Sequence, residues 1–417
     1  MHRRISAVGI ALFAAVTTFG ATHNKPSAPA TTLGDGGVSA FYVWDKKIPS
    51  KPGKLLRQEP LAANLMLANA SQGVRILYTS TDGISGKTPI TVSGAIYLPK
   101  GQAPAGGWPI VAWAHGLTGI ADTCAPSWIP RSARDTEYLN AWLALGFAIV
   151  ATDYQGLGTP GPHPRRVINS LGWSVLDSVR AALGGLPGLA NTVVIVGQSQ
   201  GGQASVSASL LAPKYAPDIH LLGTVSTGIP YYEPFSPATK APQVDVPERK
   251  GGGLNASAAV LRLYDFKTLD AAFDPLEYLS DDAKPVLERA GTSCIGDLNT
   301  VADEHRLTTD NVFKKNPTDA AAKAAKYVRY PTPRFTRPIF IGTGLADVTA
   351  IPEGQYNVAV AACSEGSTVE MHYYPGKDHG ETVNASLVDS VPFVKKLLAG
   401  QKIESNCSSI KPPSSAK

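Results

Sequence analysis

Three observations predict an α/β fold built on a mostly parallel central sheet. Short apolar runs recur at residues 74–78, 90–98, 109–115, 147–153, 192–196 and 221–227. Several lack the alternation of a half-buried strand, as expected where helices cover both faces of a sheet. Helical stretches at 133–145, 172–186 and 200–211 separate the later runs, which is the strand and helix alternation of this class.

The third observation is a pause. After Pro230 the sequence turns polar and mostly helical, with candidate helices at 281–290, 302–315 and 318–329, before strand texture returns at 338–342 and 368–374. An amphipathic helix near 387–398 closes the pattern. The reading is therefore a core over 41–230 and 336–407, split by an inserted helical cap (lid) at 231–335. The cap holds Leu254, Val260, Leu261, Leu263, Phe266 and Phe273. They suit either an amphipathic wall over an acyl tunnel or packing within the cap, so they carry no site role.

The chain starts with His2, Arg3 and Arg4 ahead of an apolar run over 5–19. That is a signal peptide at 1–21 and predicts export, with later cuts near Ala28 or Ala30 also open; the run is short for a membrane anchor. A mobile leader (22–40) and a Pro-containing tail (408–417) flank the fold. Cys124, Cys294, Cys363 and Cys407 lack zinc-site spacing and suit two disulfides in an exported protein, with three connectivities open. A composition of 43% hydrophobic and only 17% charged residues describes an ordered globular chain. The formal charge of +5 is spread along the chain without a basic run among aromatics, so nucleic acid is not an expected partner.

The strand at 192–196 leads into Gly197-Gln198-Ser199-Gln200-Gly201 and then a helix. This is G-x-S-x-G in the context its chemistry demands. A serine hydroxyl is a weak nucleophile until it projects from a tight turn toward a base. The flanking positions must be small, and Gly197, Gly201 and Gly202 are. A phosphate loop would need a lysine after the last glycine, and none follows.

The partners of such a serine follow in the order acid, then histidine, on loops after late strands. The loop after 338–341 presents Asp347, and the loop after 368–374 presents His379. The histidine takes and returns the serine proton while the aspartate fixes its tautomer. The other histidines lie in the signal peptide, the leader, the cap, a Pro-rich loop (His163) or within or before strands. Asp378 competes as the acid, but an immediate neighbour rarely reaches its own imidazole. Two amides must also meet the oxyanion. Gln200 supplies one; Leu117 is the choice for the other, with Thr118 or Gly119 close behind. His115 reads as a loop brace and Asp153 as a turn-fixing carboxylate. No metal or cofactor site is expected.

The stretches HGLTGIADTCAPS from His115, ATDYQGLGTPGPHP from Ala151, SVLDSVRAA from Ser174, GQSQGG from Gly197, and the GLAD and DHG loops span most of the mature chain. Together they resemble the secretory lipases typified by Candida antarctica lipase A. The resemblance implies an α/β-hydrolase fold with a cap before the acid-bearing strand, and hydrolysis of carboxylic esters without a cofactor. It also implies the disulfides Cys124–Cys294 and Cys363–Cys407. Within the family the sequence looks most like members secreted by plant-pathogenic bacteria, which act on plant-surface or cell-wall esters.

The expected function is thus a secreted, monomeric lipase or esterase making transient contact with lipid surfaces. The rivals are a feruloyl or acetyl-xylan esterase, a peptidase on the same fold, for which no propeller or amine-binding acidic cluster is evident, and a non-catalytic binding module. The sequons at Asn69, Asn255, Asn384 and Asn406 matter only in a glycosylating host.

Overall fold

A computed structural model describes residues 36–231, 244–248 and 251–413. The expected signal peptide, leader residues 22–35, two stretches of the expected cap (232–243 and 249–250) and tail residues 414–417 lie outside the described residues.

The described strands form one sheet: β1 (Leu55–Pro60), β2 (Ala70–Thr81), β3 (Pro89–Pro99), β4 (Trp108–Ala114), β5 (Ala148–Thr152), β6 (Leu189–Gln198), β7 (Leu221–Thr227), β8 (Ile339–Gly344) and β9 (Val369–Tyr374). Their spatial order is β1-β2-β3-β5-β4-β6-β7-β8-β9. The pairs from β1 to β5 on that side are antiparallel, and every pair from β5 through β4 to β9 is parallel. The helices are α1 (Ala133–Ala144), α2 (Ile168–Gly185), α3 (Gln200–Tyr215), α4 (Leu254–Leu269), α5 (Lys284–Arg289), α6 (Ile295–Glu304), α7 (Thr318–Val328), α8 (Pro352–Ser364), α9 (Glu381–Ala385) and α10 (Leu387–Leu398). This is the mostly parallel, helix-covered sheet that the sequence predicts.

Strand period decides which helices each residue meets. On β4, Ile110, Ala112 and Ala114 join Val175 of α2 and Ala204 and Ala208 of α3, whereas Val111 and Trp113 join Tyr138 and Trp142 of α1 and Phe393 of α10. The same split divides Val193 and Ile195 from Val194 and Val196 on β6. Each Val, Ile or Phe side chain so buried from water stabilises the fold by about 1.5–3 kcal/mol. Two apolar layers on a sheet whose parallel strands share one direction leave the loops at their C-terminal ends gathered along one rim.

Between β7 and β8, α4 to α7 form an apolar cluster that also takes in Ile120 of the loop after β4: Val260, Leu261, Leu263 and Phe266 of α4 pack with Leu298, Val301 and Ala302 of α6. These apolar residues therefore serve packing within the insertion. Two ties run from it to the loop after β4. Cys124 is bonded to Cys294, and the Ile295 N–H donates to Thr118 O at 2.8 Å. A third tie is the buried pair Arg165–Asp265, 3.0 Å apart but off the line of a good hydrogen bond at the carboxylate.

Several elements differ from expectation. The helix expected at 302–315 is instead α6, which ends at Glu304. Beyond it, Asn311 Oδ1 accepts from Thr308 N–H, Thr308 Oγ1 accepts from Asp310 N–H, and Asn311 Nδ2 donates to Arg306 O. Such local side-chain bonds compete with the helical ladder. Within the stretch expected as a mobile leader, Gly36 N–H donates to Asp122 Oδ2, and just beyond it Phe41 and Tyr42 are buried. The expected tail is engaged: Ile410 N–H donates to Asn406 O, Lys411 O accepts from the Tyr373 hydroxyl, and Pro413 is buried. Just before it, Asn406 lies along the outer edge of β9, its Oδ1 accepting from Met371 N–H and its Nδ2 donating to Met371 O, while Cys407 is bonded to Cys363. This closes a sheet edge that would otherwise expose unpaired backbone. Among the described residues no helix is long and apolar enough to cross a membrane.

Candidate active site

Ser199 sits between β6 and α3 with φ 59° and ψ −121°, a backbone state costly for any residue but glycine. The surroundings hold it there. Its N–H donates to Thr227 O (3.0 Å) and its carbonyl accepts from Gln203 N–H (3.0 Å). The glycines around it are dictated by space: a Cβ on Gly197 would fall 2.0 Å from Gly201 O, and one on Gly201 only 1.8 Å from Ala114 O.

The structure brings Ser199, Asp347 and His379 together from three loops. His379 Nε2 is 2.8 Å from Ser199 Oγ, and His379 Nδ1 is 2.8 Å from Asp347 Oδ2. A carboxylate oxygen only accepts, so Nδ1 carries the proton and Nε2 offers its lone pair to the serine hydroxyl. Asp347 is 3% exposed, and its Oδ1 accepts the N–H groups of Thr349 and Ala350, both at 2.8 Å. Asp378 is otherwise occupied, with Oδ1 capping the turn through Gly380 and Glu381 N–H.

Gln200 opens α3, so its N–H has no intrahelical acceptor. Across from it runs the loop after β4. A Cβ on Gly116 would lie 3.5 Å from Ser199 Cβ, and Leu117 is half-buried against the insertion's apolar cluster. His115 is buried, donates from Nδ1 to Gly116 O (2.7 Å), and is pushed down to about 4 by burial, so it stays neutral. Asp153 is buried, its carboxyl raised by burial, and holds Ser127 N–H (2.9 Å) and the hydroxyls of Ser93 and Ser127. Both residues thus brace the rim.

Three contributors escape sequence reasoning. Gln198 is buried and donates from Nε2 to His379 O at 3.2 Å, tying the histidine loop to the serine turn. Gly228 underlies the His379 ring. Gln355 donates to Asp347 Oδ2 (3.4 Å) and Ala350 O (2.7 Å). The x of G-x-S-x-G and the residues just past β7 are where a search for such partners would look. Among the described residues no group of His, Cys, Asp and Glu side chains is arranged to hold a metal ion. A cavity of about 550 Å³ beside α4, lined by Arg165, Arg262, Asn316 and Ile351 among others, is not bounded by Ser199 or His379.

The family profile described as Secretory lipase matches residues 132–373, more than half of the chain. The chain belongs to the secretory lipase family. A probable inactive lipase of Mycobacterium tuberculosis (strain CDC 1551 / Oshkosh) is 29% identical over 188 residues, 42% of this chain and 41% of that one. A secreted triacylglycerol lipase of Malassezia furfur is 26% identical over 302 residues, 68% of this chain and 54% of that one. The chain thus spans from a quarter to about half the length of the curated relatives it matches. Its fold is similar to that of Candida antarctica lipase A in its closed state (TM-score 0.67, 18% identity, 90% of this chain and 89% of that one). It is also similar to a rice cell wall degrading esterase from Xanthomonas oryzae (TM-score 0.61, 17% identity, 84% and 100%). Both similarities show the α/β-hydrolase fold for this chain.

Proposed function

We propose that this chain is a secreted carboxylic-ester hydrolase in which Ser199 is the nucleophile, His379 the base and Asp347 the acid. The reading is carried by the unbroken line of hydrogen bonds from Asp347 through His379 to Ser199, each of 2.8 Å. Ser199 Oγ attacks the ester carbonyl as its proton passes to His379 Nε2. The tetrahedral oxyanion meets the N–H groups of Gln200 and Leu117. His379 returns the proton to the departing alcohol, and water activated by the same imidazole then hydrolyses the acyl-enzyme. Asp347 steadies the imidazolium that forms, a role suited to a carboxylate whose other oxygen is held by two backbone amides. No cofactor is involved.

Export is supported by the family and by two disulfides, which belong to oxidising compartments. The domain scheme we propose treats α4 to α7 as a cap on a two-part core. Lipid esters and plant-surface or cell-wall esters are the substrate classes, the second suggested by the likeness to the Xanthomonas oryzae esterase. We propose a monomer that touches lipid surfaces only transiently.

The test is hydrolysis of p-nitrophenyl esters from acetate to palmitate, beside acetylated xylan and feruloyl esters, by the purified mature protein and its Ser199→Ala variant. Turnover lost in a folded variant supports the triad, and the preferred ester assigns the class. A wild type inert on every ester would leave a non-catalytic hydrolase fold, as the name of the Mycobacterium tuberculosis relative suggests of that protein.

A further inference from the structure

We propose that His163 is a positioning residue for the ester hydrolysis inferred above, acting through the Gln200 side chain on the oxyanion donor next to the nucleophile. The inference rests on that reading of Ser199 and Gln200.

His163 is wholly buried, and its Nδ1 lies 2.7 Å from Gln155 O. A carbonyl oxygen only accepts, so Nδ1 carries the hydrogen. Burial pushes the imidazole down to about 3, which leaves Nε2 a bare lone pair at any working pH. Gln200 Nε2 is 2.8 Å from that lone pair and donates to it. The tautomer is therefore set from outside, and the amide of Gln200 is held in one orientation.

The segment that carries His163 grips the other side of the site as well. Tyr154, at φ 72°, lies between the His115 and His163 rings, with centroids 4.4 Å and 6.0 Å away. Its hydroxyl donates to His115 O (2.9 Å), just before Gly116 and Leu117. Gln155 anchors the segment, donating to Asp82 Oδ1 (2.7 Å) and accepting from Gly83 N–H (3.1 Å). One loop thus braces both backbone stretches proposed to face the oxyanion. Filling space there would be done at less cost by an apolar side chain, because each buried polar group must recover its lost hydration. A paired imidazole and amide fix direction, which an apolar contact does not.

The test compares wild type with His163→Asn, His163→Gln, Gln200→Met and the His163→Asn/Gln200→Met double variant. The readouts are kcat and KM on p-nitrophenyl butyrate, inactivation by a p-nitrophenyl phosphonate, and Tm. Glutamine carries its oxygen near the place of Nε2 and can accept from Gln200; asparagine reaches only the place of Nδ1; methionine at 200 keeps the backbone N–H but cannot donate. The Asn and Met variants should lose about tenfold or more in kcat and in phosphonylation, with KM within about twofold, since removing a whole oxyanion donor costs about 10²–10³. The Gln variant should stay within about threefold of wild type, and the double variant should be no worse than either single change, as for residues acting as one unit. If the Asn variant does not fold, Gln200→Met carries the comparison. Unchanged kcat in the Asn and Met variants, or a Gln variant as impaired as the Asn variant, overturns the proposal while wild-type turnover stands. A wild type that hydrolyses no ester overturns the esterase reading and this role together.

Discussion

Gly228 lies against the His379 imidazole: a Cβ at 228 would come 2.8 Å from Cε1 and 3.0 Å from Nδ1. With φ +56°, the position also disfavours any side chain. Gly228→Ala should push the ring out of line and lower kcat about 10²-fold, the scale of a 1 Å misplacement. Steady-state kinetics beside a near-ultraviolet circular dichroism spectrum checks this; a folded variant with wild-type kcat refutes it.

Asp347→Asn should be nearly as damaging as loss of the serine. The amides of Thr349 and Ala350 hold Oδ1, so an asparagine would place its oxygen there and turn its NH2 toward His379. Nδ1 would then have to accept, Nε2 would carry the proton, and the serine would lose its base. A drop in kcat of about 10³–10⁴ with KM little changed is expected, comparable to the known effect of the wrong tautomer.

The pair Arg165–Asp265 links the loop before α2 to α4. Burial raises the Asp265 carboxyl to about 6, although Arg165, Arg166 and Arg262 pull it down. An unfolded aspartate titrates near about 3.9. The folded chain therefore holds a proton between about pH 4 and 6 that the unfolded chain has released. The associated stability is fully present below about pH 4 and is lost as pH rises through about 6. Melting curves of wild type and Asp265→Asn between pH 7 and pH 4.5 test the sign: the wild type should gain on the variant as pH falls, and a flat or falling difference contradicts it.

The two disulfides should differ in kind. Cys124–Cys294 spans 170 residues and Cys363–Cys407 spans 44, for which chain entropy gives upper values of about 5 and about 4 kcal/mol. Replacing Cys124 and Cys294 by serine should lower both Tm and kcat, because the bond adjoins the loop bearing Leu117. Replacing Cys363 and Cys407 should lower Tm alone. Equal kcat losses in both pairs would show that the first bond has no special bearing on turnover.

The layered sheet was legible because buried parallel strands leave apolar runs that survive any loop variation. The meeting of Ser199, Asp347 and His379 was legible for a similar reason: strand order fixes which loops share a rim. What escaped was read only in three dimensions. Gln198 meets His379 O across 181 residues and Gln355 reaches Asp347 from α8; the first fills an unspecified position of G-x-S-x-G and the second lies in no motif. The helix α4 was seen only as scattered apolar residues, because its Asn255, Ser257 and Asp265 are buried too and blur the amphipathic pattern. β1 was missed because an edge strand, LLRQEP, needs only partial burial.

The links Cys124–Cys294 and Thr118–Ile295 bear on how such proteins diversify. A covalent staple and a backbone bond make residues 117–124 and the start of α6 one inherited piece. Exchanging helical insertions between relatives, whether by recombination in nature or in chimeras, must carry that loop along. A transplant that leaves it behind strands one cysteine on each parent and unseats the very turn that faces the serine. The helices α4, α5 and α7 carry no cysteine, so an exchange confined to them leaves the staple whole.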